Sequence, residues 1–165
     1  MGEIGRVTQA MVQYYAGDVK RTNHFLKVHG FAAAIGEMEN LDERTQRVLE
    51  IAALTHDIGI KNSELKFGDS AGEHQQLEGP PEARALLGGL SFDEDTIERV
   101  CYLIAHHHTY SDIRGLDYQI LVEADFLVNA FEDNLSKRAI ESIRTKIFRT
   151  KTGTAFLDAL YGGQV

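Results

Sequence analysis

The sequence has a single cysteine, Cys101, so no disulfide can form within the chain. Its only prolines are adjacent, at Pro80 and Pro81, so proline interrupts no other helical segment. The N-terminal segment lacks the apolar run of a signal peptide, and Arg6 stands where a myristoylation signal requires serine or threonine. These absences predict a reducing, cytoplasmic location.

Positive charge is also scarce, since 17 lysines and arginines face 25 aspartates and glutamates, for a net charge of −8. The chain therefore lacks the basic face that general binding to nucleic acid or to an anionic membrane requires. Its apolar stretches are much shorter than the roughly 20 residues that span a bilayer. This acidity does not exclude a small phosphorylated substrate, provided that a metal ion supplies local positive charge, and the sequence leaves the oligomeric state open.

The apolar residues recur at intervals of three and four, and period-2 alternation is nearly absent. This pattern predicts a single domain over residues 1–165, an all-α bundle of seven or so helices. Residues 59–73, rich in glycine, serine and asparagine, are expected to form a surface loop, and Pro80-Pro81 to start a short helix. SFDE at 91–94 matches a capping box. The predicted helices lie at about 4–16, 19–38, 43–58, 82–87, 92–108, 117–131, 136–148 and 154–161.

The stretch LTHDIGIK, residues 54–61, places a histidine beside an aspartate at the end of an apolar helical stripe. Leu49, Ala52 and His56 share one face at spacings of three and four, so His56 is expected to point inward. Asp57 belongs to the same last turn. An ionised aspartate buried without a partner is very costly, whereas a cation offsets that cost and a neutral imidazole is a good ligand for the same cation. The end of this helix therefore predicts a metal ion.

Further inward-facing polar residues lie in three other predicted helices. His24 and His107 each continue an apolar stripe, and Asp125 interrupts the apolar run LVEADFLV. Glu123 falls on a different side from Asp125 and is expected to be solvent-exposed. Taken singly, each inward histidine or aspartate is more typical of a hydrogen-bonded core residue than of a ligand. Together, two histidines and two acids on three helices, with another histidine on a fourth, favour a metal centre.

The order His24, His56-Asp57, Asp125 resembles the H…HD…D pattern of the HD-domain superfamily of metal-dependent phosphohydrolases. LTHDIG is similar to the central motif of that family and ILVEAD to its last ligand helix. The resemblance covers about residues 18–132, and the C-terminal helices at 136–162 lie outside it. It implies an HD-domain helical bundle in which these four residues bind a metal and Asp57 is catalytic. It also implies hydrolysis of a small, nucleotide-like phosphoester by metal-activated water.

Many members of the family hold a second ion with an additional pair of histidines. His107 fits one of these positions, and His106 or His108 could replace or join it. His74 resembles the other, although it lies five residues before Gly79 where the family often has four. One ion is expected, therefore, and a second is possible. Mixed nitrogen and oxygen ligands favour Fe, Mn, Ni, Co or Zn over Mg or Ca.

Three further residues, Lys61, Glu78 and His106, are candidates for contacts with the substrate or its phosphate. Lys61 lies one place after the lysine of the HDIGK form of the family motif, because Ile60 occupies that position. This departure, and the absence of a GYP motif, weaken the match to the cyclic-dinucleotide phosphodiesterase branch.

Three alternatives remain open from the sequence. A few HD proteins with two irons oxidise their substrates with dioxygen, so a di-iron oxygenase is one. A metal-stabilised binding module without catalysis is another, and a helical bundle without metal is the third. The sequence contains no P-loop, no dinucleotide-binding fingerprint and no HEXXH motif, which disfavours the corresponding enzyme classes.

Overall fold

The computed structural model describes residues 2–162, which form nine helices and no strand. The all-α prediction is therefore confirmed. None of the described helices combines the length and apolarity needed to cross a bilayer. The helices are α1 Glu3–Tyr14, α2 Val19–Met38, α3 Glu43–Thr55, α4 Ile60–Phe67, α5 Gly72–Gly89, α6 Glu94–His106, α7 Leu116–Glu132, α8 Lys137–Lys146 and α9 Lys151–Tyr161.

Helix α3 lies at the centre of the bundle, in contact with α1, α2, α6 and α7. Its second half is apolar apart from Glu50 and Thr55, and Leu49, Ile51 and Leu54 are completely buried. A helix with apolar residues all round is typical of a central position, because each face meets another helix. Helices α2 and α7 also pack against each other. The end of α3 therefore lies where α2 and α7 pack against each other.

The segment predicted to be a loop, residues 59–73, is mostly helical. Residues 60–67 form α4, which Gly68 ends at a φ of 75°, and α5 already begins at Gly72. Pro80 and Pro81 lie inside α5 rather than at the start of a helix. The small residues serve close packing here: a Cβ on Gly59 would lie 2.6 Å from the backbone nitrogen of Gly79. Glycine therefore lets the start of α4 touch α5.

The start of α6 also differs from its prediction. The N-cap is Asp93, whose Oδ1 accepts a hydrogen bond of 2.9 Å from the Thr96 amide. Ser91, the expected cap, has a φ of 60° and donates its amide to the Gly88 carbonyl, so it belongs to the turn that ends α5. The N-cap predicted at Ser91 therefore lies two residues too early, because Asp93 is the residue that accepts hydrogen bonds from the amide and hydroxyl of Thr96.

Glu123 was expected to be exposed, but its side chain is completely buried where α7 meets the start of α9. Its Oε1 accepts hydrogen bonds from the Arg149 amide at 2.7 Å and the Thr150 amide at 2.9 Å. The Thr150 hydroxyl donates to its Oε2, and Gln119 donates to Oε1 at 2.7 Å. This carboxylate is buried at acceptable cost because four donors replace its water.

Candidate metal centre

Four of the predicted ligands meet where α2, the end of α3 and α7 come together. His24 lies inside α2, His56 is the C-cap of α3 with Asp57 directly after it, and Asp125 lies in the middle of α7. His24 Nε2 lies 3.2 Å from His56 Nε2, 3.2 Å from Asp57 Oδ2 and 3.3 Å from Asp125 Oδ1. Neighbouring ligand atoms around an ion with bonds of about 2.1 Å lie roughly 3 Å apart. The separations therefore fit a shared cation.

His56 extends the same cluster. Its Nε2 lies 3.4 Å from Asp57 Oδ2 and 3.5 Å from Asp125 Oδ1, and its side chain is fully buried. Oxygen and nitrogen ligands in this combination suit a divalent transition metal. The structure thus brings His24, His56, Asp57 and Asp125 together, as their spacing in the sequence suggested.

Two buried polar atoms of this region lack a hydrogen-bond partner among residues 2–162, namely Asp125 Oδ1 and His107 Nε2. A buried polar atom without a partner costs about 1–3 kcal/mol, and more when it is charged. A cation beside these atoms would remove that cost. The residues present therefore fit a bound metal ion.

The electrostatics of the cluster also favour a cation. Burial alone would lower the pKa of His24, but its contact with Asp125 and the charges of Asp57 and Asp125 raise that pKa to about 9. Burial would raise the pKa of Asp57, and the neighbouring imidazoles His56 and His107 hold it below its usual range. The pKa of Asp125 is likewise lowered by His24 and His56, against the effect of burial. Both acids are thus ionised at neutral pH, and protons take the place of a metal in balancing them.

A second group of possible ligands consists of Asp57, His107 and His108. Asp57 Oδ1 lies 3.6 Å from His107 Nε2, whereas its Oδ2 faces His24 and His56. Asp57 therefore belongs to both groups through different oxygens, which is what a carboxylate bridging two ions requires. His108 Nε2 lies 3.0 Å from Gln75 Oε1, and burial and the neighbouring His107 lower the pKa of His108 to about 4. His108 is accordingly neutral at pH 7.

The structure does not bring His74 or His106 into either group. His74 Nδ1 lies 2.7 Å from Asp69 Oδ1, and its ring stacks on Phe67 with centroids 3.9 Å apart. His106 Nδ1 donates to the Tyr102 carbonyl at 2.7 Å. Of the three consecutive histidines, His107 and His108 belong to the second group of possible ligands. A ligand role for His74 stays a prediction that the geometry does not support.

The other predicted substrate contacts also lie elsewhere. The Lys61 ammonium sits 5.0 Å from the centre of the Tyr14 ring. Glu78 pairs with Lys66 at 2.7 Å. Neither residue lines the cavity of about 380 Å³ that opens beside the metal centre. That cavity is lined mostly by polar residues: Asp18, Lys20, Arg21, His24, Asp57, Ile60, Ser70, Gln75, His108, Asp125, Asn129, Glu132 and Asp133.

Two supporting contacts were not apparent from the sequence. Glu132, the last residue of α7, places Oε2 2.7 Å from His24 Nδ1. The hydroxyl of Tyr15, just after α1, donates to the Asp57 carbonyl at 2.7 Å. No spacing pattern links such residues, because each contact joins segments far apart in the chain.

An all-helical bundle in which histidines and aspartates from three helices converge defines a helical protein with a candidate metal centre. The model of the HD domain family matches residues 21–147, and the chain belongs to that family. The crystal structure of a predicted HD superfamily hydrolase from an uncultured Thermotogales bacterium has the same fold. It superposes with a TM-score of 0.68 and 24% sequence identity, covering 94% of this chain and 83% of that one. No curated protein sequence gave a significant match.

Proposed function

We propose that this protein is a metal-dependent phosphohydrolase that cleaves a small, nucleotide-like phosphoester with metal-activated water. The convergence of His24, His56, Asp57 and Asp125 within 3.2–3.5 Å carries this proposal. Membership of the HD-domain family supports the hydrolase class. The adjacent cavity of about 380 Å³ is of a size that holds small molecules, for which sites of about 300–1,000 Å³ are usual.

When bound, a divalent ion supplies a Lewis acid that lowers the pKa of water and takes up charge on phosphoryl oxygens. The protein fixes the ligands for that chemistry. Asp57 and Asp125 stay ionised at neutral pH because the imidazoles hold their pKa values low. His56 donates from Nδ1 to the Ala53 carbonyl at 2.8 Å, so its Nε2 is the atom presented to the cluster.

Two basic residues, Lys20 and Arg21, line the cavity beside the ligands and attract the anionic phosphoryl group. The guanidinium of Arg21 is held by Asp18 at 2.8 Å and by Glu64, so its position is fixed before a substrate binds. Acidic residues line the same cavity, and the ion is therefore needed to make the site attractive to an anion.

The test is elemental analysis of the purified protein and of Asp57→Asn, together with a panel of small phosphoesters assayed with Mn, Fe, Ni, Co or Zn. We expect the wild-type protein to contain metal and turn over a phosphoester, and the variant to lose both. Asp117→Asn is the control, since Asp117 is a buried aspartate outside the cluster that pairs with Arg99 at 2.6 Å. Retention of metal and activity by Asp57→Asn would contradict the proposal, as would turnover that requires dioxygen.

A further inference from the structure

The imidazoles of the metal centre are oriented in two different ways. His56 and His107 are the C-caps of α3 and α6, and each donates from Nδ1 to the carbonyl three residues earlier, at 2.8 and 2.7 Å. Carbonyls in the last turn of a helix lack a backbone donor within that helix. These two histidines therefore find an acceptor in their own helix.

His24 has no such acceptor, because it lies inside α2, which runs from Val19 to Met38. The carbonyls of the preceding turn accept backbone hydrogen bonds along the helix. Its Nδ1 instead takes an acceptor from another part of the chain. The acceptor is Glu132 Oε2, at 2.7 Å, from the last residue of α7.

Glu132 is itself held in place. Its second oxygen, Oε1, pairs with the Lys27 ammonium at 2.5 Å. Lys27 lies one turn after His24 on α2, so a single helix binds both oxygens of this carboxylate. The side chain of Glu132 is only 16% exposed, which limits the water available to replace it.

We infer that Glu132 is a positioning residue of the metal centre: it keeps the proton of His24 on Nδ1 and so directs the Nε2 lone pair to the ion. The inference rests on the metal centre proposed above. Histidines that bind metals commonly donate their other ring N–H to a carboxylate or carbonyl, and loss of that partner lowers metal affinity 10–100-fold. Glu132 is assigned no direct contact with substrate.

The experiment measures zinc affinity by competition with a chromogenic chelator. Glu132→Leu leaves a side chain of similar size but removes the carboxylate that accepts the hydrogen bond from His24. We expect zinc affinity to fall about 10–100-fold. Glu132→Gln retains an acceptor oxygen and is expected to lose much less. Glu50→Leu is the matched control, because Glu50 Oε2 lies 3.1 Å from His29 Nε2 in a similar contact between α2 and α3, away from the site. Its affinity for zinc should equal that of the wild type.

A second readout separates orientation from folding. In the zinc-loaded protein, ¹⁵N NMR of the imidazoles should show the ring nitrogens of His24 changing in Glu132→Leu, while those of His56 keep their wild-type shifts. Circular dichroism checks that each variant is folded, and should the leucine variant fail to fold, Glu132→Ser replaces it. Wild-type affinity in a folded variant without the acceptor would overturn the inference, as would an equal loss in Glu50→Leu. If the wild-type protein itself bound no zinc, the metal centre would fall, and this inference with it.

Discussion

Asp57 Oδ1 lies 3.6 Å from His107 Nε2, and the other oxygen of the same carboxylate faces His24 and His56. The two ligand groups are therefore joined through one side chain but use separate imidazoles. We predict that His107→Ala still binds one ion per chain, whereas His56→Ala binds none. Elemental analysis of both folded variants checks this, and loss of all metal from His107→Ala would show that the groups form one site.

Asp125→Asn is expected to remove the bound metal, because an amide oxygen is a weaker and neutral ligand for a divalent transition metal. The affinity should fall by more than the 10–100-fold typical of outer-shell changes. Chelator competition measures it, with Asp117→Asn as the control for loss of a buried carboxylate. Equal metal affinity in Asp125→Asn and the wild type would exclude Asp125 as a ligand.

Metal binding should depend on pH because a proton on His24 competes with the ion. In the metal-free protein the pKa of His24 is raised to about 9, so both ring nitrogens of this residue are protonated at pH 7. A metal must displace that proton, and the apparent affinity should therefore rise between about pH 6.5 and 9. Calorimetry at pH 7 in buffers of different ionisation enthalpy should detect proton release. A heat of binding independent of buffer would contradict this.

The metal-free protein has a complementary dependence of its stability on pH. The pKa of His24 in the folded state lies above its ordinary value of 6.5, so its stabilising contribution is full below about pH 6.5 and lost as pH rises through about 9. The pKa values of Asp57 and Asp125 are lowered, so their contribution is present above about pH 4 and lost at lower pH. Urea denaturation with a chelator present should therefore show greater stability at pH 6 than at pH 9. Equal stability at the two pH values would argue against a charged His24 in the cluster.

Glu123→Ala should destabilise the fold without emptying the metal centre. Removal of this carboxylate leaves the buried Thr150 amide and the partly buried Arg149 amide without their acceptor, at about 1–3 kcal/mol for the buried group. Urea denaturation of the metal-free protein measures the loss, and elemental analysis should show wild-type metal content in the folded variant. A change below about 0.5 kcal/mol would mean that α9 does not depend on this contact.

Gly59→Ala should both destabilise the protein and weaken metal binding. The added Cβ would lie 2.6 Å from backbone atoms of α5, and Gly59 is two residues after Asp57. Overpacking of this kind costs about 1–3 kcal/mol. Gly30→Ala is the matched control, because no atom lies within 4 Å of its added Cβ, and alanine should stabilise α2 by up to about 1 kcal/mol. Similar unfolding free energies for the two variants would refute the close contact.

The sequence alone allowed the helical class and the clustering of four candidate ligands to be predicted, because helical periodicity determines which residues face inward. His24, His56 and Asp125 lie on apolar stripes and Asp57 directly follows His56, so their convergence could be predicted from spacing. The choice among the three consecutive histidines could not be predicted from spacing, since it depends on where α6 ends. The C-cap falls on His107, which directs His106 towards Tyr102 instead.

Other features escaped prediction because they arise from contacts between distant segments. Gly59 was predicted to lie in a loop, whereas it allows the start of α4 to pack closely against Gly79 of α5. Glu123 has the residue type of an exposed position, and only the docking of α9 supplies its donors. Glu132 meets His24 across 108 positions of sequence, a relationship that no local pattern records.

The hydroxyl of Tyr15 that holds the Asp57 carbonyl lies before residue 21, where the family match begins. The same is true of Asp18 and Lys20, which line the cavity. A fragment trimmed to the matched region would keep all four primary ligands but lose the anchor of the main chain at Asp57. The structural unit that supports the candidate metal centre thus extends further towards the N-terminus than the region matched by the family model.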